Sequence, residues 1–344
     1  MTHWSARGLV SRVNGFTLGP LDLELAEGSA VAVLGRTGAG KTTLLRSLAG
    51  FIPVSAGSFE RDGRDCSSWP PEARHLGYVP QGLGLFPHRN VEKNLKFPGE
   101  VRGRPGGSRA LDGLVEQFGL SGLLRRFPSE LSTGEQQRVA LARALAADAS
   151  LLLWDEPLSA MDVATRDELL GVLRWVRDQR RTPILFVTHD PTAAFSLADR
   201  FLLLDAGRSA FCGPPAGLLS SPVDRFAARF VGYENVLEPT ELCGAQPFAG
   251  WLHGHAGPQG LAFPAVAVDL DRPSDGAWRA RLERVEPHPD GWRLWGTVDG
   301  IAIRFSAPPD HGRVPLAGDD IRFDLSDERL RPLGGRPAPA EARS

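Results

Sequence analysis

Apolar and polar positions alternate from Leu18 to Leu25 ("LGPLDLEL"), the pattern of a strand with one buried face. Glu27-Gly28 then turns the chain into "SAVAVL", small and β-branched without a charged break, which predicts a strand buried on both faces. After Gly40 the period lengthens. "KTTLLRSLAG" places Leu44, Leu45 and Leu48 on one helical face and offers Gly50 as a C-cap, so a helix is expected there. Two further apolar runs, Leu151 to Trp154 and Ile184 to Val187, are flanked by helix-period stretches ("GEQQRVALARALAAD" and "RDELLGVLRWVRDQ"), and buried parallel strands with crossover helices account for that order. Past residue 232 the pattern shortens. Trp278 to Val285, Trp292 to Val298 and Ile301 to Phe305 read as short strands divided by the turn signals "PHPDG" and "DG", so a small all-β unit is expected. The boundary falls in "RFVGYENVLEP", giving domains 1–232 and 235–333, and the tail 334–344 ("GGRPAPAEARS") has the composition of a disordered segment.

Composition narrows the picture. With 344 residues, 42% hydrophobic and 23% charged, the chain has room for one large domain and a smaller one. A formal net charge of -2 supplies no basic field, and no nucleic-acid partner is expected. Cys66, Cys212 and Cys243 are odd in number and lack CxxC spacing, which speaks against a disulfide framework or a zinc site. No apolar run approaches the roughly 20 residues that cross a bilayer, and "MTHWSARGLV" has no signal-peptide core. The expected location is therefore the cytoplasm, with any membrane role exercised through a partner. Only Lys41, Lys93 and Lys96 among 39 basic residues are lysines, so a lysine kept at a glycine-rich loop asks for a chemical reason.

Gly35-Arg36-Thr37-Gly38-Ala39-Gly40-Lys41-Thr42, followed by Thr43, fits G-x-x-x-x-G-K-[ST] between a predicted strand and a predicted helix. Backbone N–H groups converge on phosphate oxygens only where side chains leave them access, and the helix N-terminus adds its positive dipole end. Lys41 reaches the β- and γ-phosphates, and the Thr42 hydroxyl can ligate Mg²⁺. "LLLWDEP" ends a buried strand in Asp155-Glu156, at the edge where open α/β sheets bind ligands. Asp155 can hold Mg²⁺ through water, and Glu156 is placed to polarise an attacking water.

In this order, the phosphate loop, "LSTGEQQRVALARAL" (residues 131–145), "DEP", "SAMD" and "VTHD" resemble the nucleotide-binding subunit of an ABC transporter over residues 1 to 232. The resemblance implies an α/β P-loop NTPase domain with a helical subdomain. It also implies Mg²⁺-dependent ATP hydrolysis in a homodimer, each ATP held by the phosphate loop of one copy and capped by the signature stretch of the other. Carried over by position, Ser132 and Gly134 meet the γ-phosphate, Gln81 in "YVPQ" approaches Mg²⁺ and relays nucleotide state, Asp162 lies at the dimer seam, and His189 contacts the γ-phosphate. Glu135 stands where the family usually has glutamine, a change expected to slow turnover or shift its pH dependence. Phe16, with Trp4 second, is the expected adenine-stacking aromatic.

Residues 235 to 333 are similar to the OB/TOBE-like β-barrel extension of some importer ATPases, which supports dimerisation and can host a regulatory ligand. "WPPEARHLGYVPQGLGLFPHRNVEKNL" resembles importers of molybdate, tungstate or ferric ions and, less closely, of sugars or polyamines. The expected partners are a second copy, transmembrane permease subunits at the cytoplasmic face of the membrane and, indirectly, an extracytoplasmic substrate-binding protein. Two other functions compete. A soluble ABC-type ATPase acting on DNA or ribosomes usually carries coiled-coil insertions or duplicated cassettes, which this sequence lacks. A catalytically silent nucleotide-binding regulator is opposed by Lys41, Glu156 and His189.

Overall fold

A computed structural model describes residues 3–101, 103, 109–147, 149–156, 163–243, 246–267, 278–309, 315–325 and 327–334. The tail read over 334–344 lies outside them from residue 335 onward. The chain divides into two compact units, Met1–Pro215 and Ala216–Ser344.

In the first unit the strands are β1 (Trp4–Val13), β2 (Phe16–Leu25), β3 (Ala30–Gly35), β4 (Val54–Arg61), β5 (Arg64–Asp65), β6 (Gly77–Val79), β7 (Leu152–Asp155), β8 (Ile184–Val187), β9 (Arg200–Asp205) and β10 (Arg208–Gly213). The helices are α1 (Lys41–Ala49), α2 (Val91–Val101), α3 (Arg109–Gln117), α4 (Thr133–Ala146), α5 (Val163–Arg180) and α6 (Pro191–Leu197). A six-stranded sheet has the order β10-β9-β3-β8-β7-β6, parallel except at β10, and a four-stranded antiparallel sheet has the order β2-β1-β4-β5. Every residue of β3, β7 and β8 is buried, which is why these strands read as unbroken apolar runs. Leu44, Leu45 and Leu48 of α1 join Val31, Val33, Leu153, Leu185 and Val187 in one core. Gly50 ends α1 at φ 87°, a left-handed cap that returns its N–H to the Ser47 carbonyl. Helices α2 and α3 pack on α4 and form the helical subdomain.

The register fixes the working edge. Val33 of β3 pairs with Val187 of β8, and Val187 pairs with Asp155 of β7. The carboxyl ends of β3, β7 and β8 therefore lie side by side at one edge of the sheet, although long stretches of sequence separate them.

The second unit contains α7 (Pro215–Ser220), α8 (Arg225–Phe230), β11 (Asn235–Leu237), α9 (Pro247–Gly254), β12 (Gly260–Phe263), β13 (Val266–Ala267), β14 (Trp278–His288), β15 (Gly291–Val298), β16 (Ile301–Ala307), β17 (Asp320–Phe323) and β18 (Arg331–Leu333). Two sheets, β11-β12-β18 and β13-β16-β15-β14-β17, close on a core of Phe248, Leu261, Phe263, Leu294, Ile303, Phe305 and Phe323. This is the all-β unit of OB/TOBE type that the sequence suggests, with one helix, α9, contributing Phe248 to its core. The stretch "PHPDG" is less turn than strand. Pro287 and His288 still pair with Trp292 and Gly291, so the hairpin turn shrinks to Pro289-Asp290. At the next hairpin Asp299 (φ 51°) and Gly300 (φ 83°) make the two-residue turn that "DG" signals.

Candidate functional site

The loop between β3 and α1 is shaped by close backbone approach. A Cβ on Gly35, at φ 145°, would stand 2.4 Å from the Leu204 carbonyl oxygen, and one on Gly40, at φ 103°, would stand 3.0 Å from Phe16 Cζ. Glycine at both ends lets Arg36, Thr37, Gly38 and Ala39 arch between them, with the Ala39 N–H donating to the Arg36 carbonyl. Lys41 is 7% exposed, and its Nζ donates to the carbonyls of Gly35 (2.8 Å) and Arg36 (3.0 Å), so the ammonium lies beneath the arch. Burial lowers its pKa, opposed by the carboxylates of Glu156 and Asp155.

Asp155 closes β7 and is 3% exposed. Burial pushes its carboxyl above the usual carboxylate range, against a hydrogen bond from Thr42 and helped by the charge of Glu156. A buried carboxylate bonded to a hydroxyl is a pair of hard oxygen donors, and such donors fit Mg²⁺ shared with phosphate oxygens. Thr43 follows as the third residue of α1, its carbonyl accepting from Ser47 Oγ at 2.8 Å.

Glu156 has φ 53°, a left-handed conformation that an L side chain adopts at a cost. Its two carboxylate oxygens face different partners. Oε2 accepts from Gln81 Nε2 at 2.9 Å, and Oε1 lies 3.2 Å from His189 Nε2. Residues 81, 156 and 189, carried by the segments after β6, β7 and β8, thus meet at one carboxylate. Asp162 lies outside the described residues.

Ser132 is the N-cap of α4, its Oγ accepting from Glu135 N at 3.3 Å while Glu135 Oε2 accepts from Ser132 N at 2.7 Å. The backbone donor at Ser132 holds the Glu135 carboxyl below its ordinary range. Gly134 is buried in the first turn of α4. Phe16, half-buried, packs its ring against Gly40 at the end of the phosphate loop and against Gly207. Trp4 is excluded as an adenine platform. It is fully buried, stacked on Phe59 at 4.9 Å between ring centres, with its indole N–H spent on the Ser150 carbonyl at 3.1 Å.

The structure also supplies positioning residues that the motifs leave out. Arg143 of α4 donates to the carbonyls of Gly84 (2.8 Å) and Leu83 (3.1 Å), tying the segment after Gln81 to the helix that Ser132 caps. Buried Asn94 holds the same segment through the Phe86 N–H and carbonyl. Asp190 caps α6 through the N–H of Thr192 at 2.9 Å and pairs with Arg166 of α5 at 3.1 Å, fixing the backbone beside His189. Asp190 before a helix is a readable N-cap. Arg143 and Asn94 act across long sequence separations and give no local signal.

The family model described as ABC transporter matches residues 18–159. The sulfate/thiosulfate import ATP-binding protein CysA 2 of Chromobacterium violaceum is 41% identical over 360 aligned positions, covering 98% of this chain and 96% of that protein. The Fe(3+) ions import ATP-binding protein FbpC of Streptomyces coelicolor is 44% identical over 237 positions, covering 68% of each. Among solved structures, the dimeric post-hydrolysis state of the ATP-binding cassette MJ0796 with ADP and Pi superposes with a TM-score of 0.55 at 23% identity, covering 61% of this chain and 98% of that one, a likeness of fold. Among the described residues no helix is long and apolar enough to cross a membrane.

Proposed function

The chain belongs to the ABC transporter family as an ATP-hydrolysing importer subunit, and from that premise we propose the roles of its residues, its assembly and its cargo. Backbone N–H groups of Gly35 to Thr43 cradle the phosphates, and Lys41 neutralises the β- and γ-phosphate charge. Thr42 and Asp155, with Gln81 near them, hold Mg²⁺, which when bound neutralises charge that develops on the phosphate oxygens. Glu156 accepts the proton of the attacking water. Gln81 and His189, one on each of its oxygens, hold the carboxylate in a single orientation. Phe16, against Gly40, is placed to meet the adenine edge.

Ser132, Gly134 and Glu135 lie at an N-terminus of α4 that serves a second copy, so two chains complete two sites. Asp162 belongs to the seam between them. Permease subunits are separate, and the chain works at the cytoplasmic face of the membrane. A substrate-binding protein outside the cell delivers cargo to those permeases.

The cargo is an inorganic ion, and sulfate or thiosulfate is favoured. The single observation behind this is reach: one sulfate/thiosulfate relative aligns through both units, over 98% of this chain, whereas other relatives of that kind align over 63% and ferric-ion relatives over 65% to 74%. Sulfate shares its tetrahedral oxyanion form with molybdate and tungstate, the oxyanions expected from the sequence, but is neither of them. Uptake of radiolabelled sulfate into cells deleted for this gene tests the cargo. Loss of uptake, restored by the wild-type chain and not by Lys41→Ala, is expected. Normal sulfate uptake together with lost ferric-ion uptake reassigns it.

A further inference from the structure

The second unit holds a cavity of about 430 Å³ on the outer face of its five-stranded sheet, within the size range of small-molecule sites. On β16, Arg304 and Ser306 alternate with buried Ile303, Phe305 and Ala307, and on β15 exposed Arg293 and half-buried Trp295 flank buried Leu294. The register sets Arg293 opposite Ser306 and Trp295 opposite Arg304. The two guanidinium groups are therefore diagonal neighbours, roughly 7 Å apart at their backbones, with the indole beside them. Neither guanidinium is in an ion pair among the described residues. Two carboxylates also line the cavity: Glu234 accepts the Ala265 N–H at 2.9 Å, and Asp290, itself exposed, faces His288 at 3.5 Å.

The cavity is built rather than incidental. Asn235, 3% exposed, bonds to the backbone N–H of Arg304 (2.7 Å), to its carbonyl (3.1 Å) and to the carbonyl of Pro264 (3.0 Å), which fixes one wall against β16. Arg284, which is not part of the lining, sits over the Trp295 ring at 4.9 Å and pairs with Glu286. It holds the indole from the β14 side and leaves the β16 side to the cavity.

We propose that this cavity binds a small organic anion, its oxyanion head taken by Arg293 and Arg304 and a flat ring laid against Trp295. An unpaired cation pair selects the head, since charge-assisted hydrogen bonds to guanidinium are the strong ones. The remaining volume and the indole select the ring. Isothermal titration of the full-length chain with naphthalene-2-sulfonate tests this. One saturable site is expected, weakened about 10-fold or more by Arg293→Ala and by Arg304→Ala. Trp295→Leu weakens it about 3- to 10-fold. Arg304→Lys keeps the charge but not the fork, and loses most of the affinity as well. Arg322→Ala, on β17 outside the cavity, binds as wild type. Arg293 and Arg304 are exposed, so unchanged thermal melting separates lost binding from lost folding. Binding unaffected by either arginine variant overturns the proposal, as does displacement of the probe by inorganic sulfate at equal concentration, which would remove any role for the ring.

Discussion

Asp155 carries a charge poorly suited to its buried surroundings. Its folded-state pKa is raised, so the folded chain favours the neutral acid, and stability falls as pH climbs from the ordinary carboxylate range to that raised value. Above that raised value the penalty is fully present. Asp155→Asn keeps an acceptor for Thr42 and removes the buried charge, so a higher melting temperature is expected for the nucleotide-free chain, with loss of the extra stabilisation that Mg-ATP gives the wild type. Melting curves with and without Mg-ATP check both, and a lower nucleotide-free value contradicts this reading. Lys41→Ala is expected to cut ATP hydrolysis by at least about 100-fold, because it removes the ammonium beneath the phosphate arch. Its circular dichroism should stay wild-type, since Lys41 packs in no apolar core cluster. Lys41, Asp155 and Glu156 were legible because strand-loop-helix patterning and motif agree at each. The meeting of Gln81 and His189 on Glu156 was not, for it arises from three separate chain segments and the left-handed turn at residue 156.

At the level of elements, α4 shows how one substitution serves two purposes. "STGE" is a capping box as well as a variant signature, and the pattern of serine with a glutamate three residues on was there to be read. Ser132→Ala should cost about 1 kcal/mol of stability, measured by urea unfolding. Glu135 has a lowered folded-state pKa, so its contribution is present above the ordinary carboxylate range and is lost as pH falls through the folded value. Glu135→Gln keeps the acceptor, so stability near neutral pH should change little, while the decline on acidification below the ordinary carboxylate range should flatten. A steeper acid decline in that variant contradicts the capping role. Strands β3 and β8 were legible as apolar runs, but β1 was not. Its pairing with β2 and β4 slips between Ala6 or Arg7 and Ser11, around Gly8 at φ 53°, and the slip breaks the period of two on which a strand reading depends.

For the whole molecule, the decisive feature is the order β3-β8-β7, which sets the carboxyl ends of three distant strands along one edge. Sequence order does not reveal that β8 inserts between the strand of the phosphate loop and the strand of the carboxylates, so the motifs were readable one by one while their meeting was not. In the second unit, β14, β15, β16 and the turn at Asp299-Gly300 were legible from alternation and turn residues, while the short β11, β12, β13, β17 and β18 were not read, and the cavity over Trp295 depends on Asn235 reaching across to Arg304 and left no local trace. The central claim is that Glu156 drives hydrolysis in a nucleotide-bridged pair of chains. Glu156→Gln preserves size and hydrogen-bonding reach but not basicity, so hydrolysis should slow by roughly 10²- to 10⁴-fold while ATP binding survives. The most direct measurement is ATP turnover and molecular mass of this variant in one Mg-ATP size-exclusion experiment. A stable dimer carrying unhydrolysed ATP is expected, dispersed by adding Ser132→Arg; turnover at the wild-type rate, or tight ATP binding by a chain that stays monomeric, would contradict that role for Glu156.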